Sequence, residues 1–150
     1  MPHITQKLHQ DHQKVEQIFR KLMETGDGAD KTRLDLCQKL KHELLAHAEF
    51  EEAVFYPAVR DRNGVGQQVK EGIEEHNQVK RMLSELEEME PTSPVFMEKI
   101  EELQQAVQHH VDEEESEIFP AAKKLIDKDE GEQMSRRHDE MVQEHMRAAR

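Results

Sequence analysis

Apolar side chains recur every three or four residues along most of this chain, a period typical of one face of an α-helix. Glycine and proline interrupt the pattern in only a few places. The pattern predicts five helices in this order: residues 5–23, residues 30 onward with a bend or end at Pro57, residues 66–89, residues 94–119, and a shorter helix over 129–150 after a hinge at 128–131. The expected fold class is therefore all-α.

The polar positions show an internal duplication. A strong repeat of His, Glu and Pro at matching offsets covers residues 47–57 and 110–120, and a weaker repeat covers residues 11–22 and 75–86. In one copy 35 residues separate His12 from His47, and in the other 34 residues separate His76 from His110. A unit present twice fits a closed bundle better than a solenoid, which needs at least three stacked repeats. We expect an antiparallel up-down four-helix bundle made of two repeated helical hairpins, plus a short C-terminal helix.

Histidine and glutamate occur on the apolar faces of the predicted helices, where polar side chains are unusual. Residues four apart share a helix face, so each strong repeat aims an imidazole and a carboxylate at one point. A carboxylate buried there loses its hydration unless a partner replaces it, and a bound cation is such a partner. We predict a metal site formed by His12, His47, Glu51, His76, His110 and Glu114.

Composition narrows the functional classes. The formal net charge of −12 opposes binding to nucleic acid, whose phosphates attract basic surfaces. The single cysteine, Cys37, permits no intrachain disulfide and no cysteine-rich zinc site, so nitrogen and oxygen must hold any metal. The sequence has no apolar run of about 18 residues and no signal-peptide segment. We expect a cytoplasmic protein with no membrane partner.

Domain organisation is expected to be simple, because 150 residues with 35% hydrophobic content suit one modest core. We predict a bundle domain over residues 1–127 and a helical extension packed on it over residues 128–150. In that extension Met134, His138, Met141 and His145 follow one another at helical spacing. The sequence identifies no protein partner.

At the six predicted ligands the chain resembles the hemerythrin family, specifically its HHE cation-binding domains, over roughly residues 5–125. The Phe-Tyr-Pro57 and Ile-Phe-Pro120 ends of the two strong repeats belong to the resemblance. It implies an antiparallel four-helix bundle around two non-haem iron ions and allows an oxo or hydroxo bridge between them. The implied ligand sets are His12 and His47 on one iron, His76 and His110 on the other, and Glu51 and Glu114 bridging both.

One position departs from the oxygen-carrying hemerythrins, which usually have a second His one turn after the third-helix ligand. Lys80 stands there in this chain, so the resemblance leaves one iron short of a nitrogen ligand. An open position admits water, dioxygen, peroxide or nitric oxide. The side chains that could instead fill it are Glu75, Glu115, His138 and His145.

These features favour a di-iron protein that binds or senses a small oxidant, namely dioxygen, peroxide or nitric oxide, at an open iron position. Two alternatives stay open. The same centre could turn over peroxide as a catalase-like or peroxidase-like enzyme, or metal occupancy could serve iron handling or a regulated interaction module. The sequence does not decide between turnover and binding.

The neighbours of the predicted ligands carry their own expectations. Phe55 and Phe119 are expected to close the apolar end of the site, and Tyr56, the only tyrosine, is expected at the surface. The acidic residues beside the motifs are expected to form solvated faces, and the histidines that are neither predicted ligands nor part of the C-terminal helix are expected to lie at the surface or the rim of the site. These are Glu49, Glu52, Glu113 and Glu115, and His3, His9, His42 and His109.

Overall fold

A computed structural model of the chain describes residues 2–60, 62 and 64–148. Its helices are α1 (Ile4–Met23), α2 (Asp30–Phe50), α3 (Tyr56–Arg60), α4 (Gly66–Glu87), α5 (Pro94–Glu113), α6 (Phe119–Leu125) and α7 (Lys128–Ala148). Two π-helical turns, Glu51–Phe55 and Glu114–Ile118, join α2 to α3 and α5 to α6 without a break. The described residues contain no strand, so the all-α prediction is confirmed.

The long helices form a closed bundle. Helix α1 packs on α2 and on α5, and α4 packs on α5 and on α2. Because short loops join consecutive neighbours, the helices alternate in direction, as predicted. Among the described residues no helix is both long and apolar enough to cross a membrane.

Two apolar clusters fill the bundle, one toward each end. The first contains Ile4, Leu8, Phe50, Phe55, Tyr56, Val59, Val69, Ile118, Phe119 and the α7 residues Met134 and Met141. The second contains Val15, Phe19, Leu22, Leu36, Leu40, Val79, Leu83, Leu86, Phe96, Ile100, Leu103 and Val107. A layer of buried polar side chains lies between them, because His12 falls between Leu8 and Val15 on α1 and His47 falls between Leu40 and Phe50 on α2.

The two π-helical turns replace the bend or end expected at Pro57. In each turn a backbone N–H reaches a carbonyl five residues back, from Tyr56 to Glu51 and from Phe119 to Glu114. The next residue in each case is proline, which cannot donate and whose ring would clash with the carbonyl four residues back. The wider turn accommodates the ring and lets the helix continue. Both π turns begin at a predicted ligand, Glu51 or Glu114.

Side-chain caps define the N-terminal ends of α5 and α1. Ser93 accepts from the backbone N–H of Val95, and Pro94 occupies the first helical position, where its missing N–H costs nothing. His3, expected at the surface, is half-buried: its Nδ1 accepts from the backbone N–H of Thr5 at 3.2 Å, and its Nε2 lies 3.2 Å from the carbonyl of Ile126. That expectation was wrong because His3 caps α1.

Helix α7 packs against α1 and α2. The expectation that it would be short is wrong, because α7 spans 21 residues and α1 spans 20. The hinge predicted at residues 128–131 is wrong, because α7 begins at Lys128 and Gly131 lies inside its first turn. A Cβ at Gly131 would stand 2.8 Å from Cδ2 of His3, so glycine permits this close approach. The break comes earlier, at Ile126, whose backbone is extended. The domain boundary at residue 127 stays a prediction.

Candidate metal centre

The structure brings the six predicted ligands together in the polar layer. Glu51 is fully buried, and the other five side chains belong to residues that are at most 8% exposed. They come from four helices and two π turns: His12 on α1, His47 on α2, His76 on α4, His110 on α5, and Glu51 and Glu114 at the starts of the turns. Their convergence agrees with the sequence analysis, and their role as metal ligands stays a prediction.

The six residues form two potential four-ligand groups that share both glutamates. One group is His12, His47, Glu51 and Glu114, and the other is Glu51, His76, His110 and Glu114. In each group the two imidazole Nε2 atoms face each other at 3.2 Å. This spacing suits nitrogens that converge on a shared point rather than rings packed as apolar groups.

The two glutamates lie between the halves of the centre. Oε1 of Glu51 is 3.1 Å from Nε2 of His47 and 3.0 Å from Nε2 of His76. Glu114 presents one oxygen to each half, with Oε1 at 3.1 Å from Nε2 of His12 and Oε2 at 3.4 Å from Nε2 of His110. Both carboxylates therefore stand where a bridge between two cations would be placed.

A second carboxylate layer holds the outer nitrogen of every imidazole. The four Nδ1 pairs are His12 with Glu115 (3.2 Å), His47 with Asp11 (2.9 Å), His76 with Glu52 (2.9 Å) and His110 with Glu75 (2.7 Å). A carboxylate can only accept, so it fixes the proton on Nδ1 and leaves the Nε2 lone pair facing the centre. Such partners orient metal-binding imidazoles and raise their basicity.

Sequence reasoning missed this second layer. The side chains of Glu52 and Glu115, expected on solvated faces, are 29% and 30% exposed and hydrogen-bond to imidazoles. Glu75 and Glu115, considered as replacement ligands, engage Nδ1 atoms instead. The signal was present in the repeat: an acidic residue directly precedes His12 and His76, and another directly follows Glu51 and Glu114.

The buried imidazoles and carboxylates of the centre shift one another's pKa values. Burial alone would lower the pKa of His47, but the carboxylates of Glu51 and Asp11 outweigh it and raise that pKa well above its ordinary value. Burial alone would raise the pKa of Glu114, but hydrogen bonds with Glu51 and His110 and the charge of His110 lower it well below the usual range. Without a cation the imidazoles hold protons against the carboxylates, so metal binding here is expected to release protons.

The donor set fits a pair of cations. Oε2 of Glu51 is buried and, among the described atoms, has no hydrogen-bond partner. Buried acceptors are nearly always satisfied, and an orphan oxygen at this position fits a ligand to a cation. Imidazole nitrogens combined with carboxylate oxygens suit divalent iron, manganese or zinc.

Tyr56 was expected at the surface and is instead fully buried in the centre. Its hydroxyl donates to Oε2 of Glu114 at 2.5 Å and lies 3.4 Å from Oε1 of Glu51. Burial and the two carboxylates raise the pKa of Tyr56 well above its ordinary value. The ring stacks on the imidazole of His76, with centroids 5.6 Å apart. The phenol therefore stays protonated at neutral pH and covers one face of the centre.

A small cavity adjoins the centre on the side of the second apolar cluster. Its volume is about 30 Å³, and the four imidazoles line it together with valine and leucine side chains. Lys80 stands at its edge: the side chain is 45% exposed, and Nζ lies 3.8 Å from Oε2 of Glu52. The lysine therefore pairs with the carboxylate that also accepts from Nδ1 of His76. The cavity can hold a molecule about the size of water.

The remaining histidines fall outside the inner layer. His109 and His9 have side chains 66% and 52% exposed, as expected, and each meets a carboxylate of the second layer. His42, expected at the surface, is instead half-buried because it faces the half-buried His145 between α2 and α7. His138 is 4% exposed and reaches Asp11 rather than the centre itself, so it does not supply the additional ligand.

Two known proteins are similar to this chain in sequence. A Nostoc sp. (strain PCC 7120) protein named DNA nickase is 32% identical over 126 residues, which make up 84% of this chain and 35% of that protein. An uncharacterized hemerythrin-like protein of Schizosaccharomyces pombe is 29% identical over 139 residues, 90% of this chain and 66% of that protein. This chain therefore spans less than two thirds of either relative.

A solved structure matches the whole bundle. The crystal structure of a hemerythrin HHE cation-binding domain-containing protein from Mycobacterium kansasii has a TM-score of 0.82 and 25% identity, and the match covers 96% of this chain and 90% of that one. The family model of the hemerythrin HHE cation-binding domain matches residues 3–122. This chain belongs to the hemerythrin HHE cation-binding domain family.

Proposed function

We propose that this protein holds two iron ions between the six buried side chains and binds or senses a small oxidant there, namely dioxygen, peroxide or nitric oxide. The observation that carries the proposal is the arrangement of four Nε2 atoms around two shared carboxylates. Each half offers two imidazoles and the same two glutamates. Iron sites with few histidines and a carboxylate keep positions open for exogenous ligands.

Bound iron would supply the redox chemistry and the affinity for small oxidants, while the protein controls access and charge. The Nδ1 carboxylates hold the imidazoles in place. Tyr56 keeps a proton beside Glu114. The small cavity, about 30 Å³ in volume, limits the ligand to a few atoms.

Metal analysis of protein made in iron-replete cells tests the proposal. We expect about two irons per chain, since the two groups share one pair of glutamates, and spectral changes on titration with dioxygen, peroxide or nitric oxide. Glu49→Gln, at an exposed position on α2, is the matched control and should behave like the native protein. Fewer than about one metal per chain, or iron that responds to none of the three ligands, would contradict the proposal.

A second candidate is peroxide turnover, in which two peroxide molecules give dioxygen and two waters. The buried Tyr56 hydroxyl favours it, because its oxygen lies 2.5 Å from Oε2 of Glu114 and its proton stays beside the centre, where the acid–base steps of peroxide turnover would need one. Steady dioxygen release that falls at least about tenfold in Tyr56→Phe would support turnover. A single stoichiometric spectral change without continued release would favour binding or sensing.

Nicking of DNA, the activity in the name of the Nostoc relative, is not proposed for this chain. The chain covers 35% of that protein. Its net charge of −12 also opposes approach to phosphate backbones.

A further inference from the structure

Helix α7 places one buried polar side chain against the second layer of the centre. His138 is 4% exposed, and its Nε2 donates to Oδ2 of Asp11 at 2.6 Å. The same oxygen accepts from Nδ1 of His47 at 2.9 Å. Three side chains on three helices, α7, α1 and α2, are thus joined in one hydrogen-bonded line that ends at the centre.

The middle of this line is a buried carboxylate. Asp11 is 5% exposed. Burial alone would raise its pKa, but the hydrogen bonds from His138 and His47 outweigh burial, and the pKa lies below the ordinary range. Removing one donor from a buried charge costs more than the hydrogen bond itself contributes, because the charge loses a replacement for water. The position of Asp11 therefore depends on both histidines.

His138 is itself held in place by its surroundings. The ring of Phe50 meets it edge-on, with centroids 5.1 Å apart. The neighbouring Asp139 accepts from Lys7 of α1 at 2.8 Å, and Ser135 donates to the carbonyl of Pro2 at 2.7 Å. Docking of α7 thus sets the position of the His138 ring.

The other half of the centre is built differently. Glu75, the counterpart of Asp11, holds Nδ1 of His110, but its second neighbour is His109, whose side chain is 66% exposed. His109 lies on α5, the same helix as His110. Within the described part of the chain, only the second layer of the His12–His47 half is hydrogen-bonded to α7.

We propose that α7 regulates the centre: docking of α7 and cation occupancy of the His12–His47 half stabilise each other, with His138 as the positioning residue. The inference rests on the proposed metal binding. Coupling of this kind is reciprocal, so the factor by which a cation strengthens docking equals the factor by which docking strengthens cation affinity. Any event that lifts α7 from α1 and α2 weakens one cation selectively.

The test uses the full chain with Co²⁺ as a probe, in competition with a chelator, so that two stepwise affinities are measured. His138→Leu removes the N–H that donates to Asp11 and keeps a side chain of similar size against Phe50. We expect the affinity of one cation to fall about tenfold, the lower end of losses seen for outer-layer partners of metal ligands. We expect the other cation to be unaffected. His138→Gln, whose amide can donate to Asp11, should restore part of the loss, and His145→Leu on the same helix should match the native protein.

Hydrogen exchange of the α7 amides supplies the second readout, and it needs no variant. Cations should slow α7 exchange in the native protein and in His138→Gln, and this slowing should vanish in His138→Leu. The proposal is overturned if the native protein binds two cations while α7 exchange stays unchanged, or if His138→Leu weakens both cations equally. A native chain that binds no Co²⁺ would overturn the proposed function as well. If His138→Leu does not fold, the native exchange and His138→Gln still decide.

Discussion

The two halves of the metal centre are alike near the ligands and differ farther out. Both have two facing Nε2 atoms and one carboxylate on each Nδ1. In the first half the line continues from Asp11 to the buried His138 of α7, whereas in the second half Glu75 continues to the exposed His109. The duplication therefore preserves the predicted ligands, and the residues outside the repeat make the halves unequal.

A second difference lies on the aromatic face of each half. Tyr56 follows His47 by nine residues and stacks on His76, and Phe119 follows His110 by nine and stacks on His12. The tyrosine differs from the phenylalanine by a hydroxyl, and that hydroxyl reaches Glu114. Gly72 provides the space for it, since a Cβ there would stand 2.8 Å from the oxygen. The equivalent position of the first repeat is Leu8. One half is thus polar and the other apolar at the same place.

The largest expected effect comes from a residue that both halves share. Glu114→Ala removes an oxygen from each half, so both cations should be lost and affinity should fall at least about 100-fold. Equilibrium dialysis with Co²⁺ measures it, with the exposed Glu117→Gln as control. Retention of two cations by a folded Glu114→Ala protein would show that the glutamate is not shared.

Removal of one imidazole should abolish cation binding in one half of the centre and leave it in the other. His47→Gln and His110→Gln each delete a ligand of one group only, so we expect stoichiometry to fall from two cations to about one in either variant. The double variant should bind none. Loss of both cations in a single variant would mean that the two sites fill only as a unit.

Substitutions of the second-layer carboxylates Asp11 and Glu75 should show directly that the two halves of the centre are unequal. Asp11→Asn removes the negative charge from a buried link between two histidines, whereas Glu75→Gln neutralises a carboxylate whose side chain is 19% exposed. Because Glu75 is partly exposed, water can replace part of the interaction that Glu75→Gln removes. We expect about 10-fold to 100-fold loss of affinity for one cation in Asp11→Asn and a smaller loss in Glu75→Gln. Stepwise affinities measure both, and equal losses would contradict the comparison.

The smallest effect is a stability coupling at the aromatic face. Gly72→Ala should destabilise the protein because the new Cβ meets the Tyr56 hydroxyl. Tyr56→Phe should cost about 1 kcal/mol for the lost hydrogen bond. The double variant imitates the first half and should be more stable than the sum of the single changes predicts, by about 0.5 kcal/mol or more. Denaturant unfolding of the four proteins measures the coupling, and strict additivity would contradict it.

The sequence was sufficient to predict the helices and the six converging side chains, because helical spacing and the duplication repeat the same geometry twice. The position of Tyr56 was not predictable in the same way. On an unbroken α-helix, nine residues place it about 180° from His47, facing outward. The additional residue in the π turn changes that angle to roughly 80°, which brings the ring into the centre.

The hydrogen bond between His138 and Asp11 could not be predicted from helical spacing either. Spacing alone identified the face of α7 that carries Met134, His138 and Met141, and all three are buried. It could not show which bundle helix this face meets, because that depends on the docking of α7 after the break at Ile126. The partner of a buried polar side chain on an appended helix is fixed by tertiary packing.

An anomalous-scattering measurement above and below the iron absorption edge, on crystals of protein made in iron-replete cells, tests the central claim most directly. We expect two peaks that appear only above the edge, one beside the Nε2 atoms of His12 and His47 and one beside those of His76 and His110, with Glu51 and Glu114 between them. The account would be contradicted if no peak appeared there and the six side chains were hydrogen-bonded only to one another.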